Sequence, residues 1–163
     1  MCGAIVTALL IAGAFALQAS ALTISTVAIS LPGFTLDGAE HVANSSNSTW
    51  RADGEGNPAP WHVNVSSTDF DNGAGKTIDV SFFEIRLLDS SIEVVSGPPN
   101  PKPSSTQTTF TPLSATDLKI VSAVGAEAPI AWDLTPDFRL TVAPEAYAGN
   151  YSATVTISIV VSP

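Results

Sequence analysis

The stretch Tyr151-Ser-Ala-Thr-Val-Thr-Ile-Ser-Ile-Val-Val161 decides the fold. Its odd positions are Tyr151, Ala153, Val155, Ile157, Ile159 and Val161, with Ser152, Thr154, Thr156 and Ser158 between them. Successive side chains of a strand point to opposite faces, so this period of two predicts a long strand with one face in a core. The other face carries hydroxyls instead of charges.

The same signal recurs upstream. Residues 22–31 are apolar with interspersed Ser and Thr, and end at Pro32-Gly33. Trp61, Val63 and Val65 alternate with His62, Asn64 and Ser66. Ile78, Val80 and Phe82 share one phase, whereas Phe83, Ile85 and Leu87 share the opposite one. That switch predicts a β-bulge or a strand crossing between sheets. Phe138, Leu140 and Val142 alternate with Arg139 and Thr141, and shorter candidates lie at 49–51, 92–95, 108–111 and 118–122. Twelve Pro and eleven Gly punctuate the chain, and no helical stripe appears after the first 21 residues. The pattern predicts an all-β, antiparallel Ig-like or jelly-roll-like β-sandwich of about eight or nine strands. The core is expected to collect Trp61, Val63, Val65, Phe138, Leu140, Tyr151, Val155, Ile157 and Ile159. Residues 96–105, with four prolines, cannot be a central strand and read as a polyproline-like connection within one domain.

The chain of 163 residues is one domain in length. Residues 4–17 form an uncharged apolar run, followed by the small-x-small box Ala19-Ser20-Ala21. This is the layout of a signal peptide over residues 1–21, a hydrophobic helix cut before Leu22, although Met1-Cys2-Gly3 supplies no basic residue. A retained helix, as in a pilin stalk or a membrane anchor, is the other reading. The run is short for a span of about 20 residues, so no stable membrane span is expected after cleavage. Residues 22–163 are then a single β-sandwich domain. Its length of about 142 residues suffices to bury roughly two thirds of its surface. Cys2 is the only cysteine, which removes disulfides, thiolate catalysis and Cys-based zinc from the mature chain.

Six basic residues against fifteen acidic ones give a net charge of −9, which excludes nucleic acid as a partner. The two histidines, His41 and His62, have no metal spacing, and no Ser sits in a nucleophile-elbow context. No spacing selects a pair of carboxylates for glycoside hydrolysis. The expected set of catalytic residues, metal ligands and cofactors is empty. Asp53, Glu55 and Asn57 offer alternate oxygen ligands, loosely like a weak calcium loop, without the distal Glu of an EF-hand. Asp69-Phe-Asp71-Asn72-Gly73 reads as turn chemistry. Sequons at Asn44, Asn47, Asn64 and Asn150 are what a Ser/Thr/Asn-rich β-protein generates by composition. Trp50, Trp61 and Trp132 are each a core anchor or an exposed stacking platform.

Asp53-Gly-x-Gly followed by Trp61-His-Val-Asn-Val resembles the first half of a WxL domain. Residues 140–163 resemble that family's closing hairpin, with the Ala148-Gly149-Asn150-Tyr151 turn between a valine-bearing strand and an alternating strand that ends in Pro163. The sequence departs from the family in two places. Val63 stands where the first motif has Leu, and Ile157-Ser158-Ile159 carries no Trp where the second motif belongs. Trp132-Asp133-Leu134 is a literal Trp-x-Leu, placed before the last two strands. The resemblance implies a secreted, extracellular, non-enzymatic module held at the cell surface of Gram-positive bacteria. Its partner would be cell-wall peptidoglycan or surface polysaccharide, with Trp61, Val63 and Trp132 as candidate wall-binding residues. The alternative is a structural subunit of an extracellular filament or pilus that self-assembles with like subunits. There Leu22, Ile24, Val27, Ile29 and Leu31 would complete a neighbour's sheet by strand addition.

Overall fold

The computed structural model describes residues 22–46, 48–54, 59–99, 101–125 and 130–161; the expected signal helix and its cleavage site lie outside them. In chain order the strands are β1 (Thr23–Ser25), β2 (His41–Ser45), β3 (Trp50–Asp53), β4 (Trp61–Ser67), β5 (Phe70–Asp71), β6 (Thr77–Ile78), β7 (Phe83–Arg86), β8 (Ile92–Ser96), β9 (Ser104–Ser105), β10 (Thr111–Pro112), β11 (Leu118–Ala123), β12 (Ala131–Leu134), β13 (Asp137–Val142) and β14 (Val155–Val161). The described residues form an all-β protein whose strands pair antiparallel, as the period-two pattern requires.

One layer is built from three lines of chain that are each interrupted at the same level. The order β3-β12-β8 continues as β2-β13-β7, with β1 added beside β3 and β10 beside β7. Pro136 lies at the break between β12 and β13, where it can donate no ladder hydrogen bond. Thr135 spans the break instead. Its N–H donates to Ser91 O at 3.0 Å, and its hydroxyl lies 3.1 Å from that of Thr49. The second layer is β14-β4-β11-β9. Counting each interrupted line once and setting aside the small β5-β6 hairpin, the described strands number nine.

The inward faces share one core. β4 sets the pattern, with Trp61, Val63, Val65 and Ser67 buried and His62, Asn64 and Ser66 half-buried on the outside. From the opposite layer come Trp50, Phe83, Ile85, Trp132, Leu134 and Phe138. A chain of rings crosses this core: Phe70 meets Phe83 edge-on at 5.1 Å, Phe83 stacks on Phe138 at 5.4 Å, and Trp50 tilts against Phe138 at 5.9 Å. Such pairs add about 0.5–1.5 kcal/mol each beyond their burial.

Several expectations are corrected. The phase switch at Phe82-Phe83 is not a bulge; there the chain passes from β6, paired with β5, to β7 in the first layer. A 3-10 turn, Val80–Phe82, is capped by Asp79 and turns Phe82 out to solvent before β7 begins. The ladder irregularities fall in β11, between Lys119 and Val121, and in β12, between Ala131 and Trp132. Only Thr23–Ser25 of the run 22–31 pairs as a strand. In the final strand, Val155, Ile157 and Ile159 face the core opposite Ser67, Val65 and Val63 but are half-buried, as is Tyr151. The cause is position: β14 is an edge strand, and the three residues of β1 are thin cover for it. Its pairing nevertheless continues ahead of Val155, because Asp71 and Ser152 exchange backbone hydrogen bonds at 2.9 and 3.0 Å.

Candidate functional site

The residues picked out as wall-binding lie inside. Trp61 is 4% exposed, Trp132 3% and Val63 not at all. Trp61 and Trp132 do come together, from opposite layers, around a narrow crevice that Ala123 and Ile130 also line. Neither ring turns a free face outward, so both serve as the anchors that a sandwich core requires. In Trp132-Asp133-Leu134 the two apolar side chains point inward, and Asp133 points out to Arg51. Of the strand-addition residues, Leu22, Ile24, Ile29 and Leu31 are half-buried against this chain's own core, and Val27 is 53% exposed.

The acidic loops resolve differently. Asp53 ends β3, whereas Glu55 and Asn57 lie outside the described residues. No group of three or more His, Cys, Asp or Glu side chains among the described residues could hold a metal. The second acidic turn spends its oxygens on backbone N–H groups: Asp69 accepts from Val80 at 2.9 Å, Asp71 from Gly73 at 2.7 Å, and Asn72 from Ala74 at 2.9 Å. Gly73 takes φ +71°, which the tight turn requires.

The outer surface of the first layer is a lattice of cross-strand ion pairs. Arg51 Nε donates to Asp133 at 2.6 Å, Arg86 to Asp137 at 2.7 Å, and Arg139 to Glu84 at 2.6 Å. Phe110 lies over both remaining guanidinium faces, 4.5 Å from Arg86 and 4.2 Å from Arg139. Donating to the Asp133 and Glu84 carboxylates pushes the Arg51 and Arg139 guanidinium groups up from their ordinary value.

The outer surface of the second layer is built from the other residues of the same alternation. The ladder sets Asn64 beside Ser158 on β14 and Lys119 on β11, Ser66 beside Thr156, and His62 beside Ser122 and Val160. The side chains of Asn64, Ser66, Ser122, Thr156 and Ser158 make no hydrogen bond to another described residue. The result is a surface of four hydroxyls and the Asn64 amide, bordered by His62, Lys119 and the exposed Val160.

A third feature lies at the sandwich end where residues 31–36 pass the 147–151 turn. A cleft of about 510 Å³ opens there over Phe70, Leu140 and Val142, with Phe34 and Tyr147 on its rim. Phe34 stacks on His41 at 4.6 Å, and Lys76 Nζ sits 3.9 Å over the Tyr147 ring. The Tyr151 hydroxyl donates to Tyr147 O at 2.9 Å and fixes that turn. Asp37 accepts from Ala39 N–H and from His41 Nε2, and these hydrogen bonds hold its carboxyl below the ordinary range. Sequence reasoning missed Phe34, Tyr147 and Lys76 as a group. They are far apart in the chain and share no motif, so only the fold brings them together.

No family model matches the chain, and no curated protein does. Among solved structures, a family 123 glycoside hydrolase from Clostridium perfringens is similar over 75% of this chain, at 16% identity and a TM-score of 0.37. The chain spans 18% of that enzyme's length. At this TM-score the likeness carries no argument about fold or function. No helix among the described residues is long and apolar enough to cross a membrane.

Proposed function

We propose that this chain is a non-enzymatic, secreted module of the cell surface, divergent from WxL domains. It associates with cell-wall peptidoglycan or surface polysaccharide through the outer face of β14, β4 and β11. The observation that carries this reading is the field of Asn64, Ser66, Ser122, Thr156 and Ser158, whose donors and acceptors are spent on no other described residue. A polyhydroxylated polymer meets such a surface with matching hydrogen bonds, direct or through water. Seven of the described carboxylates are already engaged within the fold. Glu84, Asp133 and Asp137 are tied to arginines, and Asp37, Asp69, Asp71 and Asp79 accept from turn N–H groups.

Sedimentation of the chain with purified Gram-positive cell walls, at low and high salt, tests the reading. Binding that persists at high salt is expected, because little charge is involved and screening therefore changes little. Loss of binding on raising salt would assign the contact to Lys119 or another charge. No binding at either salt removes the polymer-binding role.

A further inference from the structure

The segment from Leu22 to Leu36 is held in an unusual way. Leu22, Ile24, Ile29, Leu31 and Leu36 all pack against the core, so the fold uses the segment. Its backbone is nearly untied. Thr23, Ile24 and Ser25 pair with Asp53, Ala52 and Arg51, whereas residues 26–36 make no backbone–backbone hydrogen bond among the described residues. Among the described residues, the one side-chain hydrogen bond to residues 26–36 is long, Ser48 Oγ donating to Ala28 O at 3.5 Å.

The seat is also open to solvent. Two surface clefts, of about 510 and 300 Å³, flank the segment, and Leu31, Phe70 and Tyr151 line both. Beside this seat runs β14, seven residues long, with β4 as its one ladder partner. An edge of that length is a template for another strand. At its far end the segment meets the turn Asp37-Gly38-Ala39, where Gly38 takes φ +81° and Asp37 caps Ala39 at 3.0 Å. A glycine in that conformation is a natural pivot.

We infer that residues 22–36 are an exchangeable element: the segment of one copy pivots at Gly38 and fills the groove between β3 and β14 of a second copy. The occupant is argued from the molecule itself, because the groove already holds this segment, and an identical one makes identical contacts. Domain swapping costs little under that condition. Linear exchange leaves a free groove at one end and a free segment at the other, so chains of copies can grow. This inference goes beyond polymer binding and stands or falls separately from it.

The test mixes two full-length chains, both carrying Cys2→Ser, one with Ile24→Cys and the other with Ala52→Cys. Ile24 lies opposite Ala52 in the ladder, and Ala52 is fully buried, so collision alone does not join them. Oxidation after mixing is expected to give a disulfide-linked species at twice the monomer mass. Its share should grow with protein concentration, as association by mass action requires. Chains that stay unlinked at every concentration overturn the inference. If either variant fails to fold by circular dichroism, Thr23→Cys and Asp53→Cys replace them. Sedimentation of the unsubstituted chain gives an independent reading: dimers and larger species are expected to increase with concentration, and a monomer throughout overturns the proposal. Gly38→Val strains the closed turn and is expected to raise the exchanged fraction several-fold.

Discussion

The two outward faces of the sandwich come from the same alternation and the same core, yet they spend their polar groups in opposite ways. On one face every arginine is matched by a carboxylate across a strand, and Phe110 covers two of the three guanidinium planes. On the other face the hydroxyls of Ser66, Ser122, Thr156 and Ser158 stand beside the Asn64 amide without bonding to one another. The first face is closed to partners because its strongest groups already have them. The second is open because uncharged groups at ladder spacing satisfy water or a ligand better than each other.

The largest expected effect breaks both faces at once. Trp61 and Phe138 are buried on β4 and β13 and support the two sheets from within. Trp61→Ala or Phe138→Ala is expected to cost about 3–5 kcal/mol. Thermal unfolding followed by circular dichroism reads this directly. A loss below about 1 kcal/mol, far under the usual cost of such truncations, would show that the layers do not share a core.

That core was largely legible in the sequence. The β4 alternation gave its own burial pattern, and the final run gave the facing and antiparallel pairing of β14. Illegible segments have identifiable causes. In His41–Ser45 the large apolar residue, Val42, points outward at 49% exposure while Ala43 and Ser45 point in, so hydropathy reads the strand backwards. Ala131–Leu134 is a strand whose Trp and Leu looked like a motif. The half-burial of β14 depends on which strand ends at an edge, which no local pattern encodes. For the candidate site, composition announced a hydroxyl face, and the ladder supplied its members. Trp61, Val63 and Trp132 drew attention as binding residues through their place in Trp-x-Leu-like triplets, whereas strand alternation sends all three inward.

The next effect separates the faces. Ser66→Glu with Ser158→Glu places two carboxylates in the open field without touching the core. It is expected to weaken wall binding at least about tenfold, equivalent to roughly 1.4 kcal/mol. Asp133→Asn on the opposite face is expected to leave binding unchanged. If the Asp133 variant loses binding and the serine variant keeps it, the assignment of faces is reversed.

A smaller effect probes the closed face. Arg139 and Glu84 are partly exposed, so their pair is expected to contribute only about 0.2–1 kcal/mol despite its 2.6 Å contact, since solvent and side-chain entropy absorb most of the attraction. A double-mutant cycle with Arg139→Gln and Glu84→Gln, read by urea unfolding, measures it. Adding Phe110→Leu tests whether the ring stack contributes separately. A coupling well above that range would mean that the lattice is a main support of the fold rather than a way of quieting charge.

The smallest effect lies outside both faces, in the turns that join them. Asp37 accepts from the Ala39 N–H and from His41, and Asp79 accepts from the Ser81 hydroxyl and its N–H; both carboxyls are held below their ordinary value of 3.8. A carboxyl lowered by folding binds its proton more weakly in the folded chain than in the unfolded one. Its contribution is therefore present above the ordinary value and disappears as pH falls through the lowered one. Thermal midpoints taken between about pH 5 and pH 2 should decline, with these two groups supplying part of the slope. Asp37→Asn with Asp79→Asn keeps an acceptor at each turn but removes the titration, so the slope of the double variant should be shallower. An unchanged slope would show that these two turns do not supply the acid sensitivity.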